Sequence, residues 1–300
     1  MSGRHILVTG GQGQVGLEMA RLSWPEDTVA LFPTRAELDL ASRDSIRTYL
    51  DRHPVDCIVN CAAYTAVDRA EAEPELAFRI NGEAAGWLAE AGLPIVHLST
   101  DYVFDGSKTT PYAIDDPVAP LGVYGASKLT GERAVLGSGA RALVLRTAWV
   151  LSAHRHNFLK TMLRAAQTMP RLRVVDDQRG CPTAAADIAA TVQTILLRLL
   201  DDPAAPLGIQ HFVNEGEASW CGLAREIFRM SAERGGPVAE VEAITTADYP
   251  TPARRPANSR LSTAALHRGY GIEPRHWQGA VGDIIDELLG PPARNQEWDA

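Results

Sequence analysis

HILVTGGQGQVG, residues 5–16, decides the fold class. The apolar run ahead of Thr9 reads as a buried strand, and the glycines after it open a helix from about Gln14 to Ser23. Working outward, TVALFP (28–33) is a second apolar run, Ser42 to His53 a helix, DCIVNCA (56–62) a third strand and Glu75 to Ala91 a long amphipathic helix closed by Gly92 and Pro94. PIVHLST (94–100), a helix beginning near Tyr124 and ALVLRT (142–147) continue the rhythm. Strands alternating with helices over short connections predict an α/β fold: a doubly wound, Rossmann-like parallel sheet with helices on both faces.

Beyond Trp149 the alternation loosens. NFLKTMLRAAQTM reads as a helix, LRVVDD as a short strand and ADIAATVQTILLRLL as an apolar helix able to pack on the sheet. IQHFVN, a helix from Ser219 to Arg234 and the Pro-rich stretch 250–256 read as additions. The expected organisation is a dinucleotide-binding domain of residues 1–150 plus about 175–210, with a smaller α/β substrate domain of about 151–174 and 211–290. Residues 291–300 read as a flexible tail.

Composition narrows the partners. With 29 basic against 37 acidic side chains, the net charge is −8, and no Lys/Arg block follows a phosphate backbone, which argues against nucleic acid. Any anionic ligand must then be held by local devices such as a helix N-terminus or a few arginines. Cys57, Cys61, Cys181 and Cys221 form no CxxC pair and have no histidines at zinc-ligand spacing, so they read as buried thiols of a reducing compartment. Neither a signal-peptide core nor a membrane-length apolar run is present, and the expected location is the cytoplasm.

In TGGQGQVG, Gly10, Gly13 and Gly16 stand three apart at the strand-to-helix junction. Such a turn needs glycine where φ turns positive, where backbone approaches a diphosphate and where helix lies close on strand. A tight β-α turn that is merely glycine-rich is the competing explanation. About 20 residues on, an acid would favour NAD and an arginine the 2′-phosphate of NADP. Arg35 follows the second apolar run, with Glu37 and Asp39 just after it. The pattern favours NADPH with NADH also accepted, against Arg35 as a solvated loop charge.

VYGASKLTGE sets Tyr124 and Lys128 four apart, one turn along the same helix face. Reduction of a ketone puts negative charge on the carbonyl oxygen, where a proton must arrive. A phenol of ordinary pKa about 10 can donate it, and a neighbouring ammonium would lower that pKa. Lys128 would also reach the nicotinamide ribose. The chain has only three lysines, Lys108, Lys128 and Lys160, so a chance pair is rare; the plain alternative is a helix-surface contact. Upstream, HLSTDYVFDG ends a strand with Ser99, Thr100 and Asp101, where the strand ends of an open sheet meet ligand. Thr100 beside Tyr124 would complete a small oxyanion site. His97 reads as a packed histidine, and Glu83 and Glu90 as solvent-facing charges.

Together these segments resemble the extended short-chain dehydrogenase/reductase family and, within it, the dTDP-4-dehydrorhamnose reductases. The resemblance runs through TGGQGQVG, residues 56–81, STDYVFDG, YGASKLTGE, RTAWV, NFLKTMLRAA, DDQRGCPT and TPARRPANSRL. It implies that Gly10, Gln12, Gly13, Val15 and Gly16 form the cofactor turn. Asp39 and Leu40 would lie near the adenine, and Ala62, Ala63 and Tyr64 along the cofactor. Thr100, Tyr124 and Lys128 would be the catalytic set. Asp101, Tyr102 and Trp149 would meet the sugar nucleotide, Trp149 by a flat ring face; Arg255, Asn258 and Ser259 would lie near its diphosphate. Where some relatives carry a glutamate for a metal bridging a dimer, this chain has Ala186, with Asp187 adjacent, so no required metal is expected. The implied reaction is reduction of dTDP-4-dehydro-β-L-rhamnose by a monomer or homodimer. A reductase of another nucleotide 4-ketosugar, or a non-catalytic subunit like the one that accompanies methionine adenosyltransferase, remains open.

Overall fold

A computed structural model describes residues 3–292; most of the expected tail, 293–300, lies outside the described residues. β1 (Arg4–Thr9), β2 (Thr28–Leu31), β3 (Cys57–Asn60), β4 (Ile95–Thr100) and β5 (Ala142–Thr147) are parallel neighbours. Interleaved with them are α1 (Gln14–Arg21), α2 (Arg43–Arg52), α3 (Val67–Ala70), α4 (Pro74–Phe78), α5 (Ala84–Ala89) and α6 (Val123–Gly137). Every residue of β3, β4 and β5 is buried, which is why those strands read as continuous apolar runs rather than alternating ones. Ser42 caps α2 by accepting from the Ser45 amide at 3.2 Å, fixing the boundary that the sequence marks.

The second half supplies β6 (Val150–Leu151), α7 (Phe158–Ala166), β7 (Arg171–Val175), β8 (Arg179–Gly180), β9 (Thr183–Ala184), α8 (Ala185–Asp201) and β10 (Gly208–His211). It ends with β11 (Ala218–Ser219), α9 (Trp220–Ala232), β12 (Glu240–Ile244), α10 (Ala264–Tyr270) and α11 (Trp277–Leu289). The six-stranded sheet has the order β10-β5-β4-β3-β1-β2. Its edge strand corrects the reading of IQHFVN as an addition: Gly208–His211 runs parallel to Leu143–Arg146 and belongs to the main sheet.

Helix α8 buries Ile188, Val192, Ile195, Leu196 and Leu199, a helical stripe that packs with α1 on one sheet face. Helices α2, α5 and α6 cover the other face. A third core gathers Trp149, α7, α9 and α11 beside the short strand pairs.

The long helix expected from Glu75 to Ala91 is a second correction. A π-helical turn, Arg79–Glu83, interrupts it between α4 and α5. The sequence there, RINGE, puts Asn81 and Gly82 side by side, both weak helix formers, and Asn81 uses the widened turn to reach outside its own helix. Such turns recur at functional sites.

Candidate active site

The chain leaves β1 and crosses to β2 on one side, then returns to β3 on the other. The carboxyl ends of β1 and β3 therefore flank a topological switch point, where open sheets bind ligands. A cleft of about 380 Å³ opens there. It is lined by Gly10, Gln12, Gly13, Arg35, Asp39, Leu40, Ala62, Ala63 and Tyr64, all expected along the cofactor. Thr9, Gly11, Pro33, Leu38, Arg69, Leu76 and Ile80 complete the walls without having been singled out. Val15 does not line the cleft: its side chain is buried in the α1–α8 core.

Two glycines make the turn fit a dinucleotide. Gly10 has φ +71°, and a Cβ on it would stand 2.7 Å from Ala62 Cα. At Gly16 a Cβ would lie 2.3 Å from the Gly10 carbonyl oxygen. Only bare backbone lets the turn fold back on itself and expose the first N–H groups of α1, which no side chain caps. Arg35, with an 80% exposed side chain and its Nε 3.8 Å from Asp39, is free to swing onto an anion at the rim.

The walls of this cleft are tied to α6. Asn81 Oδ1 accepts from the Tyr64 amide at 2.7 Å, while its Nδ2 donates to the Tyr64 carbonyl at 3.1 Å and the Ser127 hydroxyl at 2.9 Å. The Tyr64 hydroxyl donates to Glu73 at 2.6 Å. Glu71 caps α6 by accepting from the Val123 amide at 2.8 Å. A Cβ at Gly125 would meet the Tyr102 carbonyl at 2.1 Å, so that glycine lets the helix lie against the end of β4. Asn81 and Glu71 are the residues that sequence reasoning left without a role; the Asn-Gly pair inside an apolar helix run was the available signal for Asn81.

On this frame Thr100 ends β4, Tyr124 meets it from the first turn of α6, and Lys128 follows one turn on. The Thr100 hydroxyl donates to Asp101 at 3.0 Å and accepts from the Tyr102 amide at 3.2 Å. Burial pushes the Tyr124 phenol up to about 12, opposed by its hydrogen bond with Thr100. Burial also lowers the Lys128 ammonium to about 8, against the attraction of Glu132. This corrects the expectation that Lys128 depresses the Tyr124 pKa. The lysine points inward, donating to the Leu98 carbonyl at 2.7 Å and lying 3.4 Å from His97 Nε2, and desolvation governs the phenol. Asp101, 3% exposed, is raised to about 6 by burial, with Ser259 and Thr100 pulling the other way. Tyr102 stands edge-on to Tyr124, centroids 5.4 Å apart.

Three expected substrate residues are differently employed. Trp149 stacks on Trp220 at 3.6 Å, and Gly180 lies so close that a Cβ there would come within 2.3 Å of Cε2. The indole is 9% exposed and has no open face to offer; that face belongs to Trp220, half-buried in a neighbouring cleft. Asn258 donates to the carbonyls of Lys108 and Thr110 at 2.7 and 2.9 Å, acting as a strut rather than a phosphate contact. Arg255 grips Asp68 through both terminal nitrogens, at 3.0 and 2.7 Å, while still edging the cleft of Trp220. Among the described residues no three His, Cys, Asp or Glu side chains gather for a metal ion, and Asp187 is held by Arg275 and Asn214.

The family profile described as the RmlD substrate binding domain matches residues 4–289. A dTDP-4-dehydrorhamnose reductase of Sinorhizobium fredii is 45% identical over 290 residues, covering 95% of this chain and 98% of the relative. The crystal structure of a dTDP-4-dehydrorhamnose reductase from Clostridium acetobutylicum superposes with a TM-score of 0.87 at 34% identity, over 95% of this chain and 99% of that one. One from Bacillus anthracis, solved in complex with NADP, has the same TM-score at 29% identity, over 95% and 99%. With that profile spanning nearly the whole chain and a relative 45% identical along it, the chain belongs to the RmlD substrate binding domain family, that of the dTDP-4-dehydrorhamnose reductases.

Proposed function

We propose that the chain is an NADPH-dependent reductase that converts dTDP-4-dehydro-β-L-rhamnose to dTDP-β-L-rhamnose, the last step in forming that sugar nucleotide, with NADH also accepted. The observation that carries this reading is the convergence of Thr100, Tyr124 and Lys128 at the end of β4, with Lys128 set against the walls of the switch-point cleft through His97 and Asn60 and the Tyr124 carbonyl through Ser127 and Asn81. A reduced nicotinamide bound in the cleft supplies the hydride for C4 of the sugar. Tyr124 gives its phenolic proton to O4, which together with the hydride completes the alcohol, while the Thr100 hydroxyl steadies the oxygen as its charge grows. Lys128, as an ammonium, adds positive field beneath both. Gly10, Gln12, Gly13 and Gly16 hold the diphosphate, Arg35 the 2′-phosphate, Asp39 and Leu40 the adenosine, and Ala62, Ala63 and Tyr64 the remaining length. Val15 serves from below, packing α1 so that its first N–H groups stay aimed at the phosphates.

The nucleotide end of the substrate is assigned to the cleft of about 290 Å³ beside Phe158, Met162, Arg173, Gln178, Trp220, Tyr249 and Arg255, where aromatic rings and two guanidinium groups lie together. Asp101, Tyr102 and Ser259 then border the sugar. In this proposal residues 1–150 and about 175–210 hold the cofactor, and about 151–174 and 211–290 the substrate. A cytoplasmic monomer or homodimer without nucleic-acid partners is part of the same reading, supported by four unpaired thiols and the net charge of −8. No described helix is long and apolar enough to cross a membrane.

The test is NADPH oxidation on adding the ketosugar, run against other nucleotide 4-ketosugars. Cofactor binding without turnover on any of them would reject the reductase in favour of a binding subunit. Two further results are expected. Arg35→Ala should raise the Kd for NADPH while sparing NADH, since an arginine at this place in the fold meets the 2′-phosphate; equal losses would remove Arg35 from that contact. kcat/KM should fall as pH rises through about 8, because Lys128 loses its proton there while Tyr124, at about 12, keeps its own. An alkaline limb that stays flat to pH 10 would contradict this role of the lysine.

A further inference from the structure

His97 is fully buried on β4, between Asn60 and Lys128, and the reaction as derived makes no use of it. Its surroundings fix where its proton sits. The amide of Ala62 is a donor, so the Asn60 atom 3.2 Å from it must be the oxygen, which also accepts from the Thr9 hydroxyl at 2.6 Å. The other end of the same side chain, Nδ2, therefore faces His97 Nδ1 at 3.0 Å and donates to it. A neutral imidazole that accepts at Nδ1 carries its hydrogen on Nε2, and Nε2 lies 3.4 Å from Lys128 Nζ.

We propose that His97 is a positioning residue for Lys128: it turns an N–H toward Nζ, leaving the Leu98 carbonyl as the acceptor that holds the lysine and disfavouring the ammonium relative to the amine. The proposal rests on the reductase reading only for its consequence in catalysis, since the polarity of the contact is independent of what the protein reduces. Its logic starts at the cofactor strand. Thr9 orients Asn60, Asn60 orients His97, and His97 sets the field at the lysine, so one buried line of hydrogen bonds couples the floor of the cofactor cleft to the proton affinity of Lys128. Cys61 and Glu132 also face Lys128, and both favour its charged form. Among these groups only the histidine N–H acts with burial rather than against it. The ring itself stays neutral, because burial and the nearby ammonium both push its pKa well below the usual value.

The three lysines of the chain make the test direct. With lysine labelled at Cε, an NMR titration of the whole protein separates Lys128 from Lys108 and Lys160 without any activity measurement. His97→Asn keeps an oxygen for the Asn60 amide but is too short to turn an N–H toward Nζ. It is expected to move the Lys128 midpoint up by about one pH unit, and the alkaline limb of kcat/KM should move with it. His97→Gln, long enough to present an amide N–H at the Nε2 position, should return both toward the original values. A Lys128 midpoint unmoved in His97→Asn, or moved equally by both variants, would overturn the proposal. Should His97→Asn fail to fold, the unaltered protein still decides: ¹⁵N histidine spectra must give His97 as the Nε2–H tautomer, and a proton found on Nδ1 ends the argument. If Lys128 titrates as expected but no ketosugar is reduced, the functional reading fails and the positioning role stands.

Discussion

Tyr124→Phe is expected to cost about 100-fold or more in kcat while leaving the Kd for NADPH nearly unchanged. The substitution removes one oxygen. Phenylalanine keeps the ring edge that packs against Tyr102, so the first turn of α6 and the cleft walls should hold their shape. The loss is thus confined to the proton and to one of the two hydroxyls at the substrate oxygen. Burial raises the phenol to about 12, which keeps the donor form fully populated across neutral pH but makes it a weaker acid than free tyrosine. The Thr100 hydrogen bond is the counterweight, and it cannot act through a phenyl ring. Steady-state kinetics with a parallel fluorescence titration of NADPH separate the outcomes. Near-normal kcat would take Tyr124 out of the chemistry, whereas a matching loss of cofactor affinity would mean that the phenol supports the cleft instead.

The sequence was most readable where structure follows from local pattern. The strands β1, β3, β4 and β5 are short apolar runs ending in Thr9, Asn60, Thr100 and Thr147, and a run buried on both faces leaves little else for such residues to be. The glycine turn was readable for the same reason, since three glycines at that junction answer to backbone constraints within eight residues. What stayed hidden depends on partners far along the chain. Gly208–His211 pairs with a strand more than 60 residues earlier, and nothing in GIQH announces it. Trp149 is an aromatic at a strand end, but that its ring would be taken by Trp220 depends on where α9 comes to rest. Helical periodicity put Tyr124 and Lys128 on one face; it had no means of telling that the ammonium would turn down to the Leu98 carbonyl rather than across to the phenol. The resemblance alone puts Arg255 and Asn258 near the diphosphate. The fold pairs Arg255 with Asp68 while leaving it at the edge of the Trp220 cleft, and spends Asn258 on loop carbonyls.

Glu132→Gln should destabilise the protein by about 3–5 kcal/mol, the range for breaking one side of a buried ion pair. Glu132 and Arg146 have side chains 2% exposed and meet in a two-point contact, Nε to Oε1 at 2.9 Å and Nη2 to Oε2 at 2.7 Å, with the Ser99 hydroxyl donating to Oε1 at 2.5 Å. An amide can satisfy one of those donors but not the guanidinium's charge, which would remain between β5 and α6 with only the Phe104 ring, 5.0 Å away, as compensation. Chemical denaturation at neutral pH measures the loss, and adding Arg146→Met in the same chain should recover most of it, since the cost lies in the orphaned charge rather than in the missing attraction. A single variant as stable as the parent would mean that solvent reaches Arg146 and that the pair is not the strut it appears in the structure. The double variant carries a second signal. Glu132 sits one helical turn beyond Lys128 and supports its ammonium, so removing that carboxylate should move the alkaline limb of kcat/KM to lower pH even where stability is restored. The lysine is thereby held between a carboxylate that favours its proton and a histidine N–H that opposes it, and the two variants should displace the same limb in opposite directions.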